Sequence, residues 1–304
     1  MLKLRKSSLA QWSGAGSGFQ GGTSFGRSQS PHGGEILSSG ALGYFNVWQL
    51  VEIQWLPSWR IDAKQKCLGR FVFSPSFPRM NWPAECVVVI PCLNESATIA
   101  YLVETVRTCL PRILVVDDGS TDDTAHIASR SGATVVKHPQ SEGKGAALQT
   151  GWKWAREQKF QWALTMDGDA QHSPADIPFF LKRAEQSAAD LVIGNRMLNP
   201  RGMPWIRRTV NRWMSARISR LAGCELPDSQ SGFRLIRLAA LSNLPATIQH
   251  FEIESEVLLS FARARRRIEF VPIQVIYKSE QSKIHPVFDT VRWLKWLIRV
   301  KRIR

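Results

Sequence analysis

Negative charge is scarce in this sequence: 25 Asp and Glu stand against 40 Lys and Arg, leaving a formal net charge of +15 at pH 7. That excess suits nucleic acid, anionic lipid or phosphorylated ligands, and it bears on partners rather than on fold. Cysteine is sparse as well. The five residues Cys67, Cys86, Cys92, Cys109 and Cys224 are odd in number, scattered and without a Cys-x-x-Cys pair, which argues against zinc or redox motifs and for reduced thiols in a cytosolic setting. Long apolar runs are missing, because a charged residue interrupts each hydrophobic stretch before the roughly 18 residues that a bilayer span needs. The basic start at Lys3, Arg5 and Lys6 leads into Gly and Ser rather than the apolar core of a signal peptide. The expectation is a cytoplasmic protein, at most associated peripherally with the inner face of the membrane.

What is present is enough for a sizeable core, with 44% apolar residues in 304. Residues 1 to about 44 are rich in Gly, Ser and Gln and too polar to offset chain entropy by burial. Gly16-Ser-Gly-Phe-Gln-Gly21 matches the dinucleotide-binding G-x-G-x-x-G formally, but no strand precedes it and no helix follows. The whole of 1–83 is read as an N-terminal extension, largely disordered, with room for a short helix. From Cys86 the texture changes. Short β-branched runs at Val87–Ile90, Ile113–Asp117, Thr134–Lys137, Ala163–Met166 and Leu191–Gly194 alternate with helical periodicity at Ala97–Leu110, Asp122–Ser131, Gly145–Glu157 and Ala175–Ser187. Ser120 or Thr121 is placed to cap the second helix. The pattern predicts an α/β fold, a mostly parallel sheet with helices on both faces, in which ligands bind at the carboxyl ends of the strands.

Polar residues collect at those ends. The first run finishes in Pro91-Cys-Leu-Asn-Glu95, the second in Asp117-Asp-Gly-Ser-Thr-Asp122 and the fourth in Asp167-Gly-Asp-Ala-Gln-His172. Alternate residues of an extended strand end point the same way, and Gly168 permits a tight turn between Asp167 and Asp169. Paired carboxylates of this kind suit Mg²⁺ or Mn²⁺, with positions left for substrate phosphates, although a lone Asp-Gly turn explains an isolated Asp-x-Asp equally well. His172 lacks a partner His at zinc spacing and is read as a supporting residue.

In order and spacing, Pro91-Cys-Leu-Asn-Glu, Val115-Val-Asp-Asp-Gly-Ser-Thr-Asp, Gly143-Lys-Gly-Ala-Ala, Asp167-Gly-Asp-Ala-Gln-His and Gly194-Asn-Arg resemble the family 2 glycosyltransferases of GT-A fold. The nearest likeness is to the branch of dolichyl-phosphate mannose synthase and the bacterial polyprenyl-phosphate glycosyltransferases. The resemblance covers about residues 85 to 290, so 84–284 is taken as the transferase domain. It implies an inverting, metal-dependent transfer of a sugar from a nucleotide-sugar to a polyprenyl phosphate, with a hydroxyl of a glycan or glycolipid as the alternative acceptor. Pro91, Asn94, Glu95, Asp117, Asp118, Lys144, Asp167 and Arg196 would bind the nucleotide-sugar, and Asp167, Asp169 and Gln171 would hold Mg²⁺ or Mn²⁺. Bound there, the cation acts as a Lewis acid for the departing diphosphate.

Asp228-Ser-Gln-Ser-Gly-Phe-Arg234 and Phe251-Glu-Ile-Glu-Ser-Glu256 resemble the family's acceptor side. Asp169, Glu254 and Glu256 are the candidate catalytic residues, Glu254 being the first choice of base and Glu256 the second. Acidic residues favoured at the positive end of a helix account for the last two as readily, and a phosphate acceptor needs no base. Ser231, Arg234, Lys278, Ser282 and Lys283 are the candidate acceptor contacts, although Gln281 stands where a Gly is common.

The closing stretch, 285–304, reads as a basic amphipathic helix. Phe288, Val291, Leu294, Leu297 and Ile298 share one face, with Trp293 and Trp296 alongside and Arg292, Lys295 and Arg299 opposite. An anionic membrane surface suits that pattern, and so does docking on the domain's own core. A second basic helix is expected over Trp205–Arg220. A nucleic-acid-binding protein is the remote alternative raised by charge alone; no motif supports it, and acidic strand ends oppose a phosphate backbone.

Overall fold

The computed structural model describes residues 80–200, 202–241, 250–276 and 286–302. Most of the N-terminal extension, and Lys278, Ser282 and Lys283, lie outside these residues.

A short helix α1 (Trp82–Glu85) leads into strand β1 (Cys86–Cys92), followed by α2 (Ile99–Arg107), β2 (Ile113–Asp117), α3 (Thr124–Arg130), β3 (Thr134–Lys137), α4 (Lys144–Glu157) and β4 (Trp162–Thr165). The second half runs α5 (Ile177–Ser187), β5 (Leu191–Asn195), α6 (Trp205–Ala222), β6 (Arg234–Arg237), α7 (Ile253–Arg263), β7 (Ile268–Pro272) and α8 (Pro286–Arg302). The seven strands form one sheet in the order β3-β2-β1-β4-β6-β5-β7. Only β6 runs against its neighbours, pairing antiparallel with both β4 and β5.

Continuous β-branched runs form strands here because both faces of the sheet are covered. Val87 and Val89 point into one core with Leu148 and Trp152 of α4 and Val257 of α7, whereas Val88 and Ile90 point into the other with Ile99 and Val103 of α2 and Phe180 of α5. Each such side chain, fully buried, contributes about 1.5–3 kcal/mol. Trp82 of α1 already belongs to the second core and stands edge-on to Trp162 at 5.4 Å.

Three local expectations are corrected. Helix α3 begins at Thr124, where the carboxylate of Asp122 accepts from the Thr124 N–H (3.0 Å), while Ser120 Oγ accepts instead from the Asn94 N–H (2.9 Å). Cys86, Cys92 and Cys109 are free thiols, but Cys224 is disulfide-bonded. In α8 the tryptophans turn inward: Trp293 and Trp296 are buried with Leu297 and Val300, leaving Val291 and Ile298 exposed. Indole N–H groups explain the choice of face, since each finds an acceptor on α7, Trp293 on Ser255 Oγ (2.9 Å) and Trp296 on Glu256 Oε2 (2.7 Å).

Candidate functional site

The strand order reverses at β1, which pairs with β2 on one side and β4 on the other. The crevice beyond their carboxyl ends is where such sheets bind ligands. A cavity of about 310 Å³ opens there, walled by Pro91 and Glu95 after β1, Asp118 after β2, Lys144 of α4, and Asp167, Asp169, Gln171 and His172 after β4. Arg196, Arg207, His250 and Phe251 complete the far side. Eight of the candidate site residues, Pro91, Glu95, Asp118, Lys144, Asp167, Asp169, Gln171 and Arg196, thus meet around one space, whereas Asn94, Asp117, Ser231, Arg234, Glu254 and Glu256 stand off its wall.

Asp117 is fully buried; its Oδ1 accepts from the Ser120 N–H (2.9 Å) and Lys137 Nζ lies 3.5 Å from Oδ2, so it shapes the turn after β2. Asn94 closes the same turn by accepting from the Thr121 N–H (2.9 Å). Asp118 faces the cavity, but both of its oxygens are engaged. Oδ1 meets His138 Nδ1 (2.8 Å) and the Glu142 N–H (2.9 Å), and Oδ2 meets Ser141 Oγ and the Gly143 N–H (2.8 Å each). Burial works against ionising this carboxyl, and those donors outweigh it, holding Asp118 below the usual carboxylate range. Asp118 thereby pins the 138–143 segment that leads into α4.

Around the Asp167-Gly-Asp169 turn the backbone is tight. A Cβ at Gly168 would lie 2.7 Å from Cys92 Sγ, while the left-handed residue is Ala170, with φ 53°. Lys144 Nζ is 2.7 Å from Asp167 Oδ1, and His172 Nε2 is 3.8 Å from Oδ2. Burial opposes the charge on Asp167, but the Lys144 ammonium and His172 prevail and drive its pKa well below the ordinary range. Asp169 moves the other way: burial and then the neighbouring Asp167 charge raise it, while its Oδ1 accepts from the Gln171 N–H (3.0 Å). Two carboxylates and an amide on one cavity wall, one carboxylate destabilised by the other, fit a hard divalent cation that shares its remaining positions with phosphate oxygens. Among the described residues no three His, Cys, Asp or Glu form a complete cage, which a cation also held by substrate does not require.

Farther back, Arg196 donates from Nε to Asp228 Oδ2 and from NH2 to Oδ1, 2.8 Å each. Burial and then the Arg196 charge set the Asp228 carboxyl, with the net result below its ordinary value. Arg234 donates to the carbonyls of Ser231 (2.7 Å), Glu254 (2.6 Å) and Ser229 (3.0 Å), tying the 228–232 loop to α7, and burial brings its pKa down to about 10. Ser231 is buried beside it. Glu254 bonds Lys144 through Oε1 at 2.7 Å, and Glu256 binds Trp296. Sequence reasoning missed His138, Arg207 and His250, and it quoted Asp228 within a motif without giving it a role. Arg207 stood inside a recognised basic helix, but the two histidines carry no local pattern.

Known proteins can be set beside this geometry. A dolichyl-phosphate N-acetylglucosaminyltransferase of Methanococcus voltae that uses UDP-N-acetylglucosamine is 30% identical over 62% of this chain and 85% of its own length. The undecaprenyl-phosphate mannosyltransferase of Micrococcus luteus is 28% identical over 68% and 93%. Among solved structures, glucosyl-3-phosphoglycerate synthase of Mycobacterium tuberculosis, crystallised with Mn²⁺, UDP-glucose and phosphoglyceric acid, superposes with a TM-score of 0.57 at 23% identity, over 81% of this chain and 83% of that one. The likeness extends the GT-A fold to this sheet. With residues 87–244 matching the family model for glycosyl transferase family 2, and the strand-end motifs gathered around one cavity, the chain belongs to that family and is a glycosyltransferase.

Proposed function

We propose that this glycosyltransferase moves a sugar, with inversion and with Mg²⁺ or Mn²⁺, from a nucleotide-sugar to a polyprenyl phosphate at the cytoplasmic face of a membrane. The observation that carries the donor half is the cavity wall on which Asp167, Asp169 and Gln171 stand beside Lys144. With Asp167, Asp169 and Gln171 as oxygen donors, a bound divalent cation supplies Lewis-acid stabilisation of the leaving diphosphate. Pro91 and Glu95 line the side on which the nucleotide rests, and the Asp118-anchored segment forms its floor. The half-buried carboxylates and ammonium act here in a medium poorer in water than bulk solvent, where fixed charges count for more.

For the acceptor, relatives named for dolichyl and undecaprenyl phosphate support a lipid phosphate. Glu254 adds to this. Its carboxylate is 5% exposed, with Oε1 paired to Lys144, which leaves little access for an acceptor hydroxyl, whereas a phosphate already carries its negative charge. Direct attack of that phosphate opposite the departing diphosphate inverts the anomeric centre in one displacement. A hydroxyl acceptor remains the second reading, and Glu254→Gln distinguishes the two by losing turnover with donor binding intact.

The membrane half rests on α6. Trp205 is 74% exposed and Ile206 59%, with Trp213, Arg212 and Arg220 also facing outward, a mixture suited to anionic headgroups and the acyl boundary. No helix among the described residues is long and apolar enough to cross a membrane. The test is incubation with Mn²⁺, polyprenyl phosphate and a panel of labelled nucleotide-sugars, followed by organic extraction and NMR of the anomeric proton. Label in the organic phase with inverted configuration supports the proposal; product formed only on hydroxyl acceptors moves it to the second reading.

A further inference from the structure

Lys144 is the first residue of α4, where a cation opposes the helix dipole, and something must compensate for it. Two carboxylates do: Asp167 Oδ1 and Glu254 Oε1 each lie 2.7 Å from its ammonium, with the Phe251 ring centroid at 5.5 Å. Gly232 makes room for the cluster, since a Cβ there would come within 2.9 Å of both Lys144 Nζ and Asp167 Oδ1. Glu254 is buried, and its second oxygen has no hydrogen-bond partner. Removing either partner of a buried ion pair leaves the other uncompensated, so Glu254 and Lys144 depend on each other. Asp167, by contrast, is also one of the cavity's oxygen donors.

We propose that Lys144 is a resident counter-ion of the donor site: Glu254 holds it in place, it occupies Asp167 until a divalent cation binds, and it then turns to the donor's diphosphate. The inference rests on the metal-dependent reading of Asp167 and Asp169. Glu254 is accordingly a positioning residue. The long lysine stem lets the ammonium shift toward a phosphate without leaving Glu254, and no movement of α4 is needed.

This arrangement gives opposite signs to two affinities. Removing the ammonium frees Asp167 for the metal and deprives the diphosphate of a cation, whereas neutralising Glu254 leaves Lys144 wholly to Asp167. The experiment measures Mn²⁺ binding to substrate-free protein by EPR of the free ion, and Mg²⁺-pyrophosphate binding by calorimetry. The proteins are wild type, Lys144→Met, Lys144→Arg, Glu254→Gln and the Met/Gln double variant, each checked for folding by circular dichroism. The expected result is Mn²⁺ bound at least about tenfold tighter by Lys144→Met and at least about tenfold weaker by Glu254→Gln, the size that one unit charge a few ångströms from a divalent ion gives even at the dielectric of bulk water. The double variant tracks Lys144→Met, Lys144→Arg stays near wild type, and pyrophosphate binding weakens in Lys144→Met. Unchanged or weaker Mn²⁺ binding in folded Lys144→Met overturns the proposal, as does wild-type Mn²⁺ affinity in Glu254→Gln, the behaviour of a free general base. Equal Mn²⁺ binding by wild type and Asp169→Ala instead overturns the metal-site reading beneath it.

Discussion

His138 Nδ1 lies 2.8 Å from Asp118 Oδ1, and through that contact the residue following β3 is fastened to the residue following β2. His138 Nε2 reaches Thr150 Oγ1 of α4 at 3.0 Å, so one ring links two strand ends to the helix that presents Lys144.

Asp118→Asn keeps the shape of the side chain and loses the charge that four donors converge on. It is expected to cost about 2–3 kcal/mol of stability at pH 7 and to weaken nucleotide binding by loosening the 138–143 segment. The Asp118 carboxyl is lowered in the folded state, so its contribution is complete above the unfolded-state value of about 4 and is lost as the pH falls through the folded value. Urea titrations of both proteins at pH 7 and pH 3 check this. The difference between them should shrink at the lower pH; a constant difference would show that the charge plays no part.

Glu256 was a candidate base on sequence grounds, but its carboxylate accepts the Trp296 indole N–H at 2.7 Å and so fastens α8 to α7. Glu256→Gln retains an acceptor oxygen and should lose no more than about 1 kcal/mol of stability. Turnover should stay within about twofold of wild type, far from the 10²- to 10⁴-fold that general-base catalysis typically supplies. A turnover assay alongside thermal unfolding separates the two roles.

The exposed tip of α6 makes a separate prediction. Trp205→Glu with Ile206→Glu should reduce co-sedimentation with anionic phospholipid vesicles by at least about tenfold, because burying one large apolar side chain contributes about 1.5–3 kcal/mol. Binding of the soluble nucleotide should be unaltered. Equal vesicle binding by the variant would move membrane contact away from α6.

How much of this was legible in the sequence follows from where the physics is local. The runs that became β1 to β5 are dense in β-branched residues and flanked by turn signals, and they stand within about two residues of their expected bounds. Strand β6 was not legible. Arginines are the first and last of its four residues, and Arg234 is buried there with the carbonyls of Ser229, Ser231 and the distant Glu254 accepting from it. At the site, the acidic motifs announced a strand-end cluster but not the division of labour within it. Asp117 and Asp118 are adjacent in sequence, yet one supports a turn while the other faces the cavity and anchors a loop. The pairing of Lys144 with Glu254 joins residues far apart in the chain, and no spacing rule records it. In α8 the apolar and tryptophan arcs adjoin, so periodicity could not choose the inward face; hydrogen-bond acceptors on α7 did.

The central claim is that Asp167 and Asp169 hold a divalent cation for transfer from a nucleotide-sugar to a lipid phosphate. Its most direct test compares wild type with Asp169→Ala in Mn²⁺-dependent transfer of labelled sugar into organic-extractable product, donor and polyprenyl phosphate being supplied in excess. The account predicts label in the extract for wild type, lost with EDTA and absent for the variant at any Mn²⁺ concentration. Full transfer by folded Asp169→Ala would contradict it.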